Sequence, residues 1–222
     1  MKSLFDKILE VAHAGIVAKQ KSVTRLFPTF NDRVKKIKSN GGLKLIAQKA
    51  DYWKFKVHSG TKSGTWYAVY LRFKDIESTI HELVLDRRLW VKAGDKVDLR
   101  KLAHELMYSN ALQVDCSCPA DLYWGKQYIR SLGKYDAKFG DKETRPPVKR
   151  NPKQYGMVCK HLQALFDAYP FYEGTMAKWI RTHYGKIVKR AEDLAAKEYA
   201  KFKAAGVKLK GMEDERAVRK VN

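Results

Sequence analysis

The chain has 222 residues, enough for one large domain or for one domain with extensions. Hydrophobic residues at 45% and aromatics at 12% allow a packed core and exclude a wholly disordered chain. The formal net charge of +21 points to a polyanionic partner, either nucleic acid or the acidic surface of an assembly. No run of about 18 apolar residues exists to form a membrane span.

Leu4, Phe5, Ile8, Leu9, Ala12, Ile16 and Val17 recur near helical spacing, so residues 1–20 read as an amphipathic helix. Asp6 interrupts the apolar run early, which argues against a signal peptide. Residues 31–40, between Pro28 and Gly41-Gly42, read as a basic connector. Residues 43–58 then alternate, with Trp53, Phe55 and Val57 on one face and Lys54 and Lys56 on the other. Tyr67, Val69, Leu71 and Phe73 alternate in phase across 65–74, and the Gly- and Ser-rich segment 59–64 between the runs marks a β-hairpin. Ile76, Ile80, Leu83 and Val84 suggest a short helix, and Asp98 is placed to cap a second one carrying Leu99, Leu102, Ala103 and Leu106. Leu112, Val114 and Cys116 lie two apart and predict a strand.

Residues 119–158 differ in texture. Apart from a helical turn near Tyr123 to Ile129, the segment reads as an inserted loop, long enough to be functional or ordered by a partner. Leu162, Leu165 and Phe166 begin a helix that stops near Pro170. After Gly174, the positions from Met176 to Ala195 mark a long amphipathic helix that fades by Gly206, followed by a polar tail, 207–222. The expected plan is an N-terminal helix and connector (1–42), an α+β core (43–172) holding the insert (119–158), the long helix (173–206) and the tail. The core is expected to be a small antiparallel sheet from residues 43–74 and 111–118, packed on helices.

The chemistry concentrates in one pattern. Cys116-Ser117-Cys118 is followed, after 40 residues, by Cys159-Lys160-His161. Three thiolates and one imidazole complete a closed tetrahedral shell, for which zinc is the default ion and iron the alternative. All three cysteines are used, which argues against disulfides and for a reducing compartment. Ligands two apart inside a regular helix diverge, so Cys159 and His161 must straddle a helix entry, and Gly156 can ease the approach. No phosphate-binding loop or nucleophile elbow is present, and His13, His58, His81, His104 and His183 are scattered without ligand spacing. A closed shell does not activate water, so no enzymatic activity and no small-molecule substrate are expected.

A strand-borne C-x-C followed by C-x-H at a helix start resembles the SWIM-type zinc finger over residues 110–170. That resemblance implies a zinc-binding module that contacts DNA or protein. The wider pattern, Asp115-Cys116-Ser117-Cys118-Pro119, Arg150-Asn151-Pro152, Gly156 and Cys159-Lys160-His161-Leu162, resembles virion proteins of large tailed bacteriophages. It implies a zinc-stapled structural part of a capsid, neck or tail, with other virion proteins in a symmetric assembly as partners, nonspecific DNA contact as an added role, and no membrane. A SWIM-type DNA-binding accessory factor of the cytoplasm is the alternative. Basic and aromatic residues interleave in the insert, which suits phosphate contact with base stacking or a wrapped protein interface. Lys126, Tyr128, Arg130, Lys149, Arg150, Lys153 and Tyr155 are the expected contacts.

Overall fold

A computed structural model describes residues 29–85, 89–90, 96–109, 112–132, 135–139, 143–149, 151–153, 156 and 158–204. The expected helix at 1–20 and the tail at 207–222 lie outside the described residues. The alternating runs become a four-stranded antiparallel sheet in the order β1-β2-β3-β4, and the sheet packs on helices, as expected of an α+β chain.

The stretch expected to be a basic connector is instead helix α1, Thr29–Ser39. Val34 and Ile37 share a buried face, Asp32 stands in the first turn, and Lys36 and Lys38 stand in the last, which suits the helix dipole. The helix stops at Gly41 and Gly42, whose φ values of 102° and 65° end it, and the Gly42 amide reaches back to the Ile37 carbonyl.

Residues 43–58, which alternate as one run, fold into two strands, β1 (Leu43–Gln48) and β2 (Tyr52–His58). The Lys49 amide bonds the Tyr52 carbonyl and closes the turn between them. Leu43 faces Val57 and Leu45 faces Phe55, after which the register slips between Leu45 and Ala47. Strand β3 (Trp66–Phe73) pairs with β2 from Tyr52↔Arg72 to His58↔Trp66. Helix α2 (Ile76–Leu85) buries Ile76, Ile80 and Val84. Helix α3 (Leu99–Ser109) starts where expected, with the Asp98 carboxylate accepting from the amides of Arg100 and Lys101 at 2.9 and 3.3 Å. Strand β4 (Leu112–Cys116) then pairs with β3, from Leu112↔Phe73 to Cys116↔Val69.

The insert is ordered to a greater extent than its composition suggests. Pro119 opens the short helix α4 (Pro119–Tyr123), where its missing N–H and fixed φ cost nothing. Gly125, at φ 68°, turns the chain into helix α5 (Lys126–Leu132). A Cβ there would come within 2.4 Å of Pro147, so the position requires glycine twice over. Residues 135–137 return to the outer edge of β4: the Val114 amide bonds the Tyr135 carbonyl, and the Ala137 amide bonds the Val114 carbonyl.

Helix α6 (Lys160–Ala168) leads through a 3-10 turn at Tyr169–Tyr172 into the long helix α7 (Glu173–Ala204). The long helix takes in Gly174 and Thr175 in its first turn. Helices α2 and α3 lie against α7, and α1 lies against α6. One sheet face supplies Trp53, Phe55, Val57, Val69, Leu71 and Phe73 to this core, all buried. Trp53 sits at its centre, edge-on to Phe73, Tyr172 and Trp179. No described helix is long and apolar enough to cross a membrane.

Tyr184 ties α7 to the β1–β2 turn by donating its hydroxyl to the Ala50 carbonyl. Burial, reinforced by the charges of Glu77 and Asp51, pushes the phenol up to about 12. The folded chain therefore keeps this proton where the unfolded chain loses it, so the contribution is whole below about pH 10 and is lost as pH rises toward 12. Tyr184→Phe should cost about 1 kcal/mol at neutral pH, lowering the melting temperature by about 2–4 °C. It should also flatten the alkaline decline in stability between about pH 10 and 12, as read from thermal melts across that range.

Candidate metal centre

Cys116 is the last residue of β4, on the face that points into the core opposite Val69. The strand ends there. Ser117 crosses back toward β3, and the serine is pinned from both sides: its amide bonds the Ala68 carbonyl and its hydroxyl accepts from the Ala68 amide, both at 2.9 Å. Cys118 follows with extended dihedrals as the residue before α4. The first pair is thus one cysteine from a strand and one from a helix entry, rather than two from a strand.

The second pair straddles a helix entry, as the spacing requires. Cys159 is extended, at φ −82° and ψ 170°, and α6 begins at Lys160, two residues ahead of the expected start. His161 therefore lies inside the first turn. Gly156, at φ 65°, bends the chain toward the site.

The four side chains converge. Cys116, Cys118, Cys159 and His161 are all buried, and one ligand atom from each lies within 4.8 Å of the others. The His161 Nδ1 is 3.8 Å from the Cys116 sulfur and 3.9 Å from the Cys159 sulfur. Metal–sulfur bonds of about 2.3 Å around a tetrahedral ion separate neighbouring ligand atoms by roughly 3.5–3.8 Å. The cluster is therefore close to the size of a tetrahedral thiolate–imidazole shell and can hold a metal ion. The histidine ring leans on Tyr67 at 4.7 Å, and its Nε2 is buried without a hydrogen-bond partner among the described residues. Its Nδ1, not its Nε2, is the atom aimed at the sulfurs.

The electrostatics also call for a cation. Burial, with the neighbouring thiols, pushes Cys116 well up, while hydrogen bonds from Cys116 and Cys159 pull Cys118 well down. Three thiolates in this buried space need a positive ion at their centre.

A second buried cluster braces the site. Arg130, fully buried on α5, grips Asp121 of α4 through two hydrogen bonds of 2.8 and 2.6 Å. It also lies 3.7 Å from Asp115 and 3.5 Å from Asp136. Burial works against the guanidinium charge, but Asp121 and Asp136 outweigh it and hold Arg130 charged. Burial pushes Asp136 up against the pull of the same arginine. Asp115 connects this cluster to the thiols, because its carboxylate accepts from the Cys116 amide and, on the other oxygen, from the Phe139 amide, each at 2.8 Å. Lys126 completes the brace by donating to the Gly156 carbonyl at 3.3 Å, and Asn151 donates to the Trp124 carbonyl at 2.9 Å.

These positions correct part of the expected contact surface. Lys126 and Arg130 were expected to meet a partner, yet both are buried and hold the insert together. Two carboxylates of the insert, Asp121 and Asp136, join Asp115 of β4 around one arginine, and their burial removes them from any surface. Tyr128 is half-buried against the core. Lys149 and Lys153 are exposed, and Arg150 and Tyr155 lie outside the described residues. The spacing of the thiols singled out the metal cluster, whereas Asp121 and Asp136 carried no signal beyond being acidic in a basic stretch. Set against family models, curated proteins and solved structures, the chain matches none.

Removing one partner of a buried ion cluster leaves the others uncompensated, at a cost of about 3–5 kcal/mol. Arg130→Met should destabilise the protein by that amount in urea titrations and expose the insert to limited proteolysis. Arg130→Lys should recover only part of the loss, because an ammonium cannot reproduce the two-pronged grip on Asp121.

Proposed function

We propose that the protein is a non-enzymatic structural protein held together by one zinc ion, and a capsid, neck or tail component of a tailed-phage virion. The observation that supports a structural role for the ion is the closed, buried Cys3His cluster joining the end of β4 to the start of α6. Zinc suits three thiolates and one imidazole in a tetrahedral shell, and such a shell leaves no position for water or substrate. Cys116, Cys118, Cys159 and His161 would hold the ion, and zinc would supply folding free energy by cross-linking the two halves. The virion assignment rests on the Asp115–Pro119 and Asn151-Pro152 patterns, and the buried Asn151 bonded to Trp124 gives that motif a physical purpose.

A second reading, a SWIM-type DNA-binding accessory factor, is favoured by the net charge of +21. Phosphate contacts would make its DNA affinity fall steeply with salt.

Mass spectrometry of the purified, reduced protein should find one zinc per chain. Cys159→Ser or His161→Ala should lose that zinc and lower the melting temperature by about 10 °C or more, and a strong chelator should do the same to the unaltered protein. Iron in place of zinc would replace the cofactor, and a metal-free protein with an unchanged melt would remove the reading. Peptide mass spectrometry of purified virions should recover the chain at a fixed copy number, and its absence from particles would leave the accessory-factor reading in place.

A further inference from the structure

Among the described residues the core helices cover one face of the sheet and leave much of the other open, and that open face has an unusual composition. Its outward positions carry Lys44 on β1, Lys54 and Lys56 on β2, and Trp66 and Tyr70 on β3, with the small Ala68 between the two rings. Lys44 extends over Trp66 and Lys54 over Tyr70, each 5.2 Å from the ring centroid. Phe139, from the insert, stacks on Tyr70 at 4.5 Å and 15° between planes, and Tyr52 tilts against the same phenylalanine.

Two features separate this face from an ordinary solvated one. Lys44 stands directly across from Lys56 in the β1–β2 register, a like-charge pair that works against strand pairing. None of Lys44, Lys54 and Lys56 forms an ion pair among the described residues. A face selected for solubility alone avoids such a pair, and Asp51, at the end of this face, is engaged by Arg72 rather than by the lysines, so the local cost marks a surface kept for a polyanion. The second feature is preorganisation. Phe139 is fixed through its amide by Asp115, itself beside the buried Arg130, and Ser117 pins Ala68 midway between Trp66 and Tyr70.

We propose that this open sheet face binds single-stranded nucleic acid, with bases stacking on Trp66 and on the Tyr70–Phe139 pair and phosphates meeting Lys44, Lys54 and Lys56. The lysines now over the rings would swing outward to the phosphates as bases take their place. Trp66 and Tyr70 lie four residues apart on one strand, about 13 Å, which leaves the gap over Ala68 for the backbone to cross the lysine row. Duplex DNA hides its base faces and would gain the charge contacts alone. This surface requires neither the identity of the metal nor a place in a virion.

The test is fluorescence anisotropy with a labelled 20-nucleotide single strand of mixed sequence, against the duplex of the same sequence, using the full-length, metal-loaded protein. The single strand should bind at least about tenfold tighter than the duplex. Trp66→Leu should weaken single-strand binding by about 5- to 100-fold and change duplex binding little. Lys56→Glu should weaken both and reduce the salt slope by about one, while raising the melting temperature by about 1–4 °C, because it turns the repulsive pair with Lys44 into an attractive one. Lys178→Glu, the same charge change on the exposed side of α7, should stay within about twofold of the unaltered protein. Should Lys56→Glu melt lower instead, Lys54→Gln carries the charge test, and unchanged affinity there overturns the proposal. Equal losses from Lys178→Glu and Lys56→Glu would overturn it in favour of diffuse charge. Polyglutamate competing as well as the oligonucleotide would overturn it in favour of an acidic protein partner.

Discussion

The cluster of Cys116, Cys118, Cys159 and His161, which can hold a metal ion, joins the end of one strand to the start of one helix across 40 intervening residues. Closing so long a loop costs entropy that short helices such as α4 and α5 cannot recover alone. The ligands are placed by ordinary local rules: a strand end at Cys116, an extended residue ahead of α4, an extended residue ahead of α6, and the first turn of α6. Bringing them within 4.8 Å of one another then aligns β4 with α6, and α6 in turn meets the sheet and α1.

The buried charges around Arg130 have a different physical character. A grouping of three carboxylates with one guanidinium is a poor source of net stability, since desolvation consumes most of the attraction. What it provides is uniqueness. Arg130 meets Asp121 from α4, Asp115 from β4 and Asp136 from the edge segment at one point, which ties the three pieces of chain together. The insert is held in one place by polar geometry where it lacks enough apolar mass to be held by packing.

That distinction accounts for what the sequence disclosed. Period-two alternation at Trp53, Phe55, Val57 and at Val69, Leu71, Phe73 made the hairpin legible, and Asp98 announced α3, because side-chain periodicity and caps are local signals. The ligand set was legible because thiols two apart have few other uses. Helix α1 was hidden by its lysines, since Val34 and Ile37 are its only fully buried side chains and form a thin stripe. The Arg130 cluster was hidden for a deeper reason. Its members are separated by up to 21 positions, and a lysine or arginine in a basic stretch looks the same whether it faces water or a buried carboxylate. Lys126 and Arg130 were read as contacts because basic and aromatic residues interleave around them, and burial is not a property of a residue type.

The slip in register between Leu45 and Ala47 has a consequence for association. A sheet with open margins can recruit further strands from neighbouring chains and grow without limit. Here the β4 margin is closed by residues 135–137, which use the amide and carbonyl of Val114. The β1 margin is the other one, and the bulge at Ile46 breaks its ladder of donors and acceptors midway while the lysine pair behind it repels a like-charged copy. Among the described residues the fold therefore offers no continuous template for strand addition, and a protein present at high local density can sit beside its own copies without fusing into fibres.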